Sequence, residues 1–177
     1  MNAEWLNTTA LGIVLPVALA VGALAMTVGA LWDFRAHDLL GGVAAMAYAT
    51  FWLSFALLER FFRAGIESAT GAGGYADAFG VYLVMWSLLT LVLAGAAWFA
   101  TRSMAGALAL LCAAFLVLGI ASFAPGTGAD DIRLVGGYVV IIAAAAFGYL
   151  FAAGMLNTTA GRYLLPTWEV RARGSAG

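Results

Sequence analysis

The sequence predicts an all-α integral membrane protein, a bundle of five transmembrane helices. Three observations carry this. Apolar residues make up 64% of the chain and charged residues only 10%, where a soluble domain averages about 25% charged. A soluble fold of 177 residues could not hide that much apolar surface, so lipid has to cover part of it. Five runs, 10–32, 39–58, 78–100, 103–124 and 134–155, reach the roughly 20 apolar residues that a spanning helix needs. None of the five contains a charged residue, and the segments between them are short and polar.

In chain order, residues 1–9 (MNAEWLNTT) read as an extracytoplasmic tail. They are not a signal peptide, because they hold an acidic residue and no basic n-region, and the apolar run that follows is too long. The first run contains Pro16, which predicts a kink near its outer end. DFRAHD (33–38) joins the first two runs. ERFFRAGIESATGAGGYAD (59–77) is the longest connection, and its Gly-rich half reads as a flexible surface loop. TRS (101–103) is a tight turn, PGTGADDIR (125–133) joins the last two runs, and 157–177 is the C-terminal tail.

Arginine placement sets the orientation. Arg35, Arg102, Arg162, Arg171 and Arg173 fall on one side, against Arg60, Arg63 and Arg133 on the other. The bias places the N-terminus outside and the C-terminus in the cytoplasm, which implies the cytoplasmic membrane. Trp5, Trp32, Phe34, Phe61, Phe62, Trp98, Phe99, Tyr163 and Trp168 mark the run ends, as an interfacial aromatic belt does. Gly22, Met26 and Gly29, then Gly41, Ala45 and Ala49, then Gly136 and Gly137 form stripes of small residues suited to close helix approach. The likeness of LNTTALGIVLP (6–16) to LNTTAGRYLLP (156–166) reads as two similar helix ends rather than a duplication, since the flanking residues do not match.

Composition narrows the chemistry. Net charge is −1, with no nucleic-acid footprint. A single Cys, Cys112, excludes an internal disulfide and reads as an apolar filler; the single His, His37, reads as a solvated loop residue. No metal or cofactor is implied. No phosphate loop or nucleophile–base pair appears, so an enzyme reading would need a loop carboxylate such as Asp33, Asp38 or Asp77. The runs also lack the ionisable residues that a proton relay places inside a bundle. Protons, if they move, would ride on the substrate as its own weak acid.

Polar groups within the runs are few. A lone Ser or Thr there is most simply bonded to its own helix backbone. Tyr48, in AYATFW (47–52), is different, because its phenol cannot easily reach its own backbone. It requires another helix, a water or a ligand. An interhelical bond and a place on a pore are both open readings. Trp52 and Trp86 also lie deep, each with an N–H that needs a partner.

Three motifs add a resemblance. GVAAMAYATFW (42–52) resembles a Ser-Tyr-Gly-x-Phe-Trp run that opens a helix. AFGVYLVMWSLLTL (78–91) resembles a Phe-(Leu/Gly)-Gly-x-Tyr-x-x-x-Trp signature, and YLFAAGMLNTTAGRYLLP (149–166) a segment closing in Leu-Asn-x-x-x-Gly-Arg-x-x-Leu-Pro. In this order and spacing they resemble the acetate uptake transporter family, of the succinate–acetate permease (YaaH/SatP) type. The resemblance implies a six-helix protomer in a hexamer, passing small carboxylates such as acetate or succinate through a hydrophobic constriction. It assigns Tyr48 and Leu111 to that constriction, with Phe51 and Trp52 bracing Tyr48 and with Thr50, Tyr82 and Trp86 flanking the path. Arg102 matches a family Arg at the short turn. Departures stand beside these matches. The family's first helix, with its constriction Phe, has no counterpart; a family Gln is Met26, the Ser and Gly around the Tyr are Ala47 and Ala49, and a late Glu is Gly154. They keep open a non-transporting structural or regulatory homologue, or a shortened form of a six-helix transporter.

Overall fold

The computed structural model describes residues 11–124 and 127–170. Trp5, the tail 1–9, Arg171 and Arg173 lie outside the described residues. The fold is all-α. Helix α1 (Leu11–Val17) passes through a π-helical stretch, Ala18–Ala25, into α2 (Met26–Arg35). Helix α3 (Leu39–Leu57) passes through a second π-helical stretch, Leu58–Phe62, into α4 (Arg63–Ala97). Helices α5 (Arg102–Phe123) and α6 (Thr127–Ala160) follow. Among the described residues the only β pairing is an isolated bridge between Thr101 and Glu169.

Among the described residues four continuous apolar helical stretches result, of which Leu39–Ala97 is 59 residues long. Straight, it would extend for roughly 90 Å, about three hydrocarbon thicknesses. It folds back on itself instead. Tyr48 bonds to Thr90, Ser54 to Tyr82 and Glu59 to Tyr75. One partner's number rises as the other's falls, so α3 and the main part of α4 are antiparallel. The reversal includes Gly71, at φ 75° and ψ 169°. This backbone is open to glycine and strained for other residues. Among the described residues five arms result, each packed against the next in chain order.

The structure differs from the loop expected at 59–77. Residues 63–70 and 72–77 are helical. Nothing in this stretch forbids a helix: it lacks Pro, and Arg63 bridges Glu59 and Glu67 four residues to either side. Several glycines together suggested a loop, yet only Gly71 leaves helical geometry. The connection 125–133 is likewise shorter than expected, since α6 begins at Thr127. At the first turn, Asp38 caps α3 by accepting from the Gly41 N–H at 2.9 Å. His37 precedes it, exposed and at φ 62°.

Close approaches of the arms use small residues. A Cβ on Gly22 would overlap Trp52, one on Gly42 would lie 2.5 Å from the Phe34 ring, and one on Gly80 would lie 3.0 Å from the Gly119 carbonyl oxygen. A Cβ on Gly29 meets nothing within 4 Å. The stripe Gly22–Met26–Gly29 therefore does not face one neighbour. The π-helical turn through Ala18–Ala25, which starts two residues after Pro16, rotates the faces out of ordinary helical register. All described members of the expected aromatic belt are exposed, from Phe34 at 38% to Phe99 at 80%.

The closing motif forms a strap. Helix α6 ends at Gly161, whose φ of 62° is the left-handed conformation common just past a helix. The chain then turns back toward α6. Asn157 Oδ1 accepts from the Leu164 and Leu165 N–H groups, and its Nδ2 donates to the Leu165 carbonyl. Tyr149 donates to the Pro166 carbonyl at 2.6 Å, and Ser103 to that of Thr167 at 2.5 Å. Two backbone bonds, Arg102 N–H to Trp168 and Val170 N–H to Ala100, tie the strap across the α4–α5 turn. Arg102 itself stacks over Trp98 at 3.8 Å. Asn157→Ala removes three bonds of about 1 kcal/mol each. Hydrogen exchange at the Leu164 and Leu165 amides should then accelerate about 100-fold while the arms stay protected.

Candidate functional site

The site lies between α3 and α4. These helices are joined by side chains at three levels, yet their backbones rarely come close, whereas α4 and α5 pack closely along their length. Aromatic rings fill the gap. Phe51 is the hub, with ring centroids of Phe115 at 5.0 Å, Trp52 and Trp86 at 5.2 Å, Tyr82 at 5.9 Å and Phe55 at 6.0 Å. On α4, Tyr75, Phe79, Tyr82 and Trp86 continue as a ladder with centroids 5.8–6.2 Å apart. Their spacing of three and four residues puts them on one helix face.

At one end of this column Tyr48 is buried, and its phenol donates to Thr90 Oγ1 at 3.1 Å. Thr90 in turn donates to the Trp86 carbonyl at 2.7 Å. Tyr48 thus finds its partner on another helix, one of the two readings its sequence position left open. One level along, the Tyr82 hydroxyl meets Ser54 Oγ at 2.8 Å and donates to the Phe51 carbonyl at 3.2 Å. Ser87 donates to the Cys112 carbonyl at 3.1 Å, and the Cys112 thiol donates to the Ser87 carbonyl at 3.3 Å. Cys112 therefore links α4 and α5 as well as filling space.

Of the residues expected at the path, the structure brings Tyr48, Phe51, Tyr82, Trp86 and Leu111 together, with Leu111 packed against the cluster that contains Tyr48, Phe51, Leu83, Leu108 and Phe115. Trp52 sits one residue round the helix and also lines an apolar groove of about 330 Å³ with Val17, Val21, Gly22 and Met26. Thr50 stands apart: it is exposed and donates to the Ala47 carbonyl at 2.7 Å. Sequence reasoning gave Phe79 a place in the second motif but no role, and did not single out Phe115, which carries only the generic signal of an aromatic in an apolar run. Ser54 and Thr90 were legible only as backbone-bonded hydroxyls; both make that bond, and Thr90 also accepts from Tyr48 while Ser54 lies 2.8 Å from the Tyr82 hydroxyl.

The other end of the column is charged. A cavity of about 310 Å³ is lined by Glu59, Arg63, Glu67, Tyr75, Ser122 and Arg133 together with Phe79, Leu83 and Leu118. The Arg63 guanidinium donates from Nη1 to Glu59 at 2.9 Å and from Nε to Glu67 at 2.8 Å, and lies 4.9 Å from the centroid of the Tyr75 ring. Tyr75 donates to Glu59 at 2.5 Å. Hydrogen bonds to Glu59 and then Glu67 hold the Arg63 pKa above its ordinary value. Burial, and then the bond to Glu59, push the Tyr75 phenol up. At neutral pH Arg63 is charged and Tyr75 is a proton donor.

A family model described as the GPR1/FUN34/yaaH family matches residues 1–171. The succinate-acetate/proton symporter SatP of Escherichia coli K12 is 28% identical over 160 residues, covering 89% of this chain and 80% of that protein. The ammonia transport outward protein 2 of Saccharomyces cerevisiae is 28% identical over 155 residues; this chain spans about half of its length, 54%. A solved structure of the bacterial acetate channel SatP matches with a TM-score of 0.80 at 23% identity, covering 94% of this chain and 87% of that one. It shows the shared fold.

Proposed function

From the premise that the chain belongs to the GPR1/FUN34/yaaH family, we propose that it passes small carboxylates of the acetate class across the cytoplasmic membrane. One observation carries this reading: α3 and α4 enclose a column of aromatic rings that runs from a charged cavity to the buried Tyr48–Thr90 pair. Such a column suits a substrate with a charged head and a small apolar body. Tyr48 and Leu111 form the constriction, with Phe51, Tyr82 and Trp86 around it and Trp52 bracing Phe51. A hydrophobic constriction of this kind works by dewetting, and holds back a hydrated anion until the gap widens. On this reading the Tyr48 phenol, engaged by Thr90, holds the constriction closed. The N-terminus faces outside, and copies of the chain associate through their apolar outer arms, α6 being mostly exposed in one copy.

The Tyr48–Thr90 bond also favours a second reading, a structural membrane subunit in which Tyr48 is only a tie between helices. Leu111→Ala separates the two. On the transport reading it widens the constriction, and flux of a longer acid such as butyrate rises about fivefold relative to acetate in proteoliposomes. Unchanged relative flux in a variant that folds and conducts would remove Leu111 from the path.

A further inference from the structure

We propose that Arg63 is a carboxylate-receiving subsite at the outer end of the path, where the substrate's carboxylate displaces Glu67 from the guanidinium. This subsite rests on the transport reading above and adds a residue to it. The cavity at Arg63 is amphipathic in the sense that a short carboxylic acid requires. Its lining combines two guanidinium groups, Arg63 and Arg133, and the carboxylates of Glu59 and Glu67 with the apolar side chains of Phe79, Leu83 and Leu118. Leu83 belongs to the core cluster that holds Tyr48 and Phe51, and Phe79 and Leu118 pack against it. A carboxylate at Arg63 would therefore have its alkyl end directed at the aromatic column. At about 310 Å³ the cavity has room for such an acid with several waters, each of which takes about 30 Å³.

The two glutamates on Arg63 are not equivalent. The Glu59 side chain is 10% exposed and is held twice, by Arg63 at 2.9 Å and by Tyr75 at 2.5 Å. The Glu67 side chain is 35% exposed and makes one bond, from Arg63 Nε at 2.8 Å. Glu59 thus anchors the guanidinium, with Tyr75 completing its carboxylate. Glu67 is an internal carboxylate on the more exposed edge, and another carboxylate can replace it at little cost in solvation. The guanidinium has five N–H donors, of which these two bonds use two, so a planar carboxylate can be received on two parallel N–H groups. The second π-helical stretch, Leu58–Phe62, carries Glu59 and ends one residue before Arg63. Such wide turns recur at functional sites. Arg133 also lines the cavity, with its guanidinium paired to Asp130 at 3.1 Å. Ala72 and Ala76 complete the α4 part of the lining, and the carboxylates at the cavity are Glu59 and Glu67.

The test compares Arg63→Gln, Arg63→Lys and Glu67→Gln in the full chain, using acetate flux into proteoliposomes at pH 7. Arg63→Gln is expected to raise the half-saturating acetate concentration about tenfold while leaving the maximal flux near wild type, the effect of losing one charge-assisted contact. Arg63→Lys recovers part of it. Glu67→Gln, which removes the internal competitor, is expected to lower that concentration two- to threefold, by an estimate of roughly half a kilocalorie converted at 1.4 kcal/mol per decade. If Arg63 only braces the helices, both Gln variants break the same ion pair and shift flux in the same direction, and that result overturns the subsite. If the wild-type chain carries no flux, the transport reading fails by itself. Acetate binding is then read by saturation-transfer NMR on the detergent-solubilised chain: a signal lost in Arg63→Gln supports the subsite, and equal signals overturn it.

Discussion

Tyr48→Ala is expected to admit acids that the wild-type chain excludes, raising flux of butyrate relative to acetate by about tenfold or more. Tyr48 is 8% exposed and belongs to the cluster with Phe51, Leu108 and Phe115. Its ring stands in the gap between α3 and α4, where the backbones keep apart. Without it the closed end of the aromatic column becomes a void next to the hydroxyl of Thr90. Water can occupy a void that offers a polar partner, and a wetted constriction no longer excludes a hydrated anion. The change also costs about 3–5 kcal/mol of packing, so retention of the fold has to be verified by size-exclusion profile and circular dichroism. Tyr48→Phe is the companion variant. It keeps the ring and loses only the bond to Thr90, which still donates to the Trp86 carbonyl at 2.7 Å. Its cost is about 0.5–1.5 kcal/mol, and its selectivity should stay near wild type. Equal selectivity in all three proteins would make Tyr48 a structural tie.

Gly22→Leu is expected to lower the unfolding temperature by roughly 6–12 °C, from about 3 kcal/mol of overpacking in a chain of this size. A Cβ at this position would lie 2.7 Å from Trp52 Cβ and 2.6 Å from a carbon of its ring. The near atom is at the root of the Trp52 side chain, so rotating the ring away gives little relief. Trp52 cannot retreat freely either, with Phe51 at 5.2 Å and Phe55 at 6.2 Å. The first arm has to move off α3. Gly29→Leu is the control: nothing lies within 4 Å of its Cβ position, and its unfolding temperature should match wild type. Thermal unfolding in detergent measures both, and a similar drop in the two would show that contact with Trp52 does not decide the effect.

The membrane class and the helical character were legible from composition alone, because a charge-free run of about 20 residues has few other uses. The need of Tyr48 for a partner was legible too, since a phenol reaches past its own backbone. The partner was not. Thr90 is 42 positions away, and the register between α3 and α4 depends on a reversal at Gly71 within a segment that read as a loop. Faces were the second difficulty. Thr50, two residues beyond Tyr48, lies across the helix from it and is exposed. Phe51 and Trp52 are adjacent in sequence, yet Trp52 also packs against Gly22 while Phe51 meets Tyr82, Trp86 and Phe115. In the first arm the π-helical stretch breaks the spacing on which a small-residue stripe depends. The charged cavity escaped notice for a related reason: Glu59, Arg63, Glu67 and Tyr75 look like polar residues of a connection until helix geometry gathers them.

The central claim is that a small carboxylate crosses the membrane through this chain. It is tested most directly by uptake of labelled acetate at pH 7 into proteoliposomes carrying the full 177-residue chain, against protein-free liposomes. A simple carboxylic acid has a pKa of roughly 4, so at pH 7 nearly all of it is ionised and crosses bare lipid poorly. The account predicts saturable uptake well above the protein-free rate. Uptake equal to protein-free liposomes, from protein shown to be folded and inserted, would contradict it.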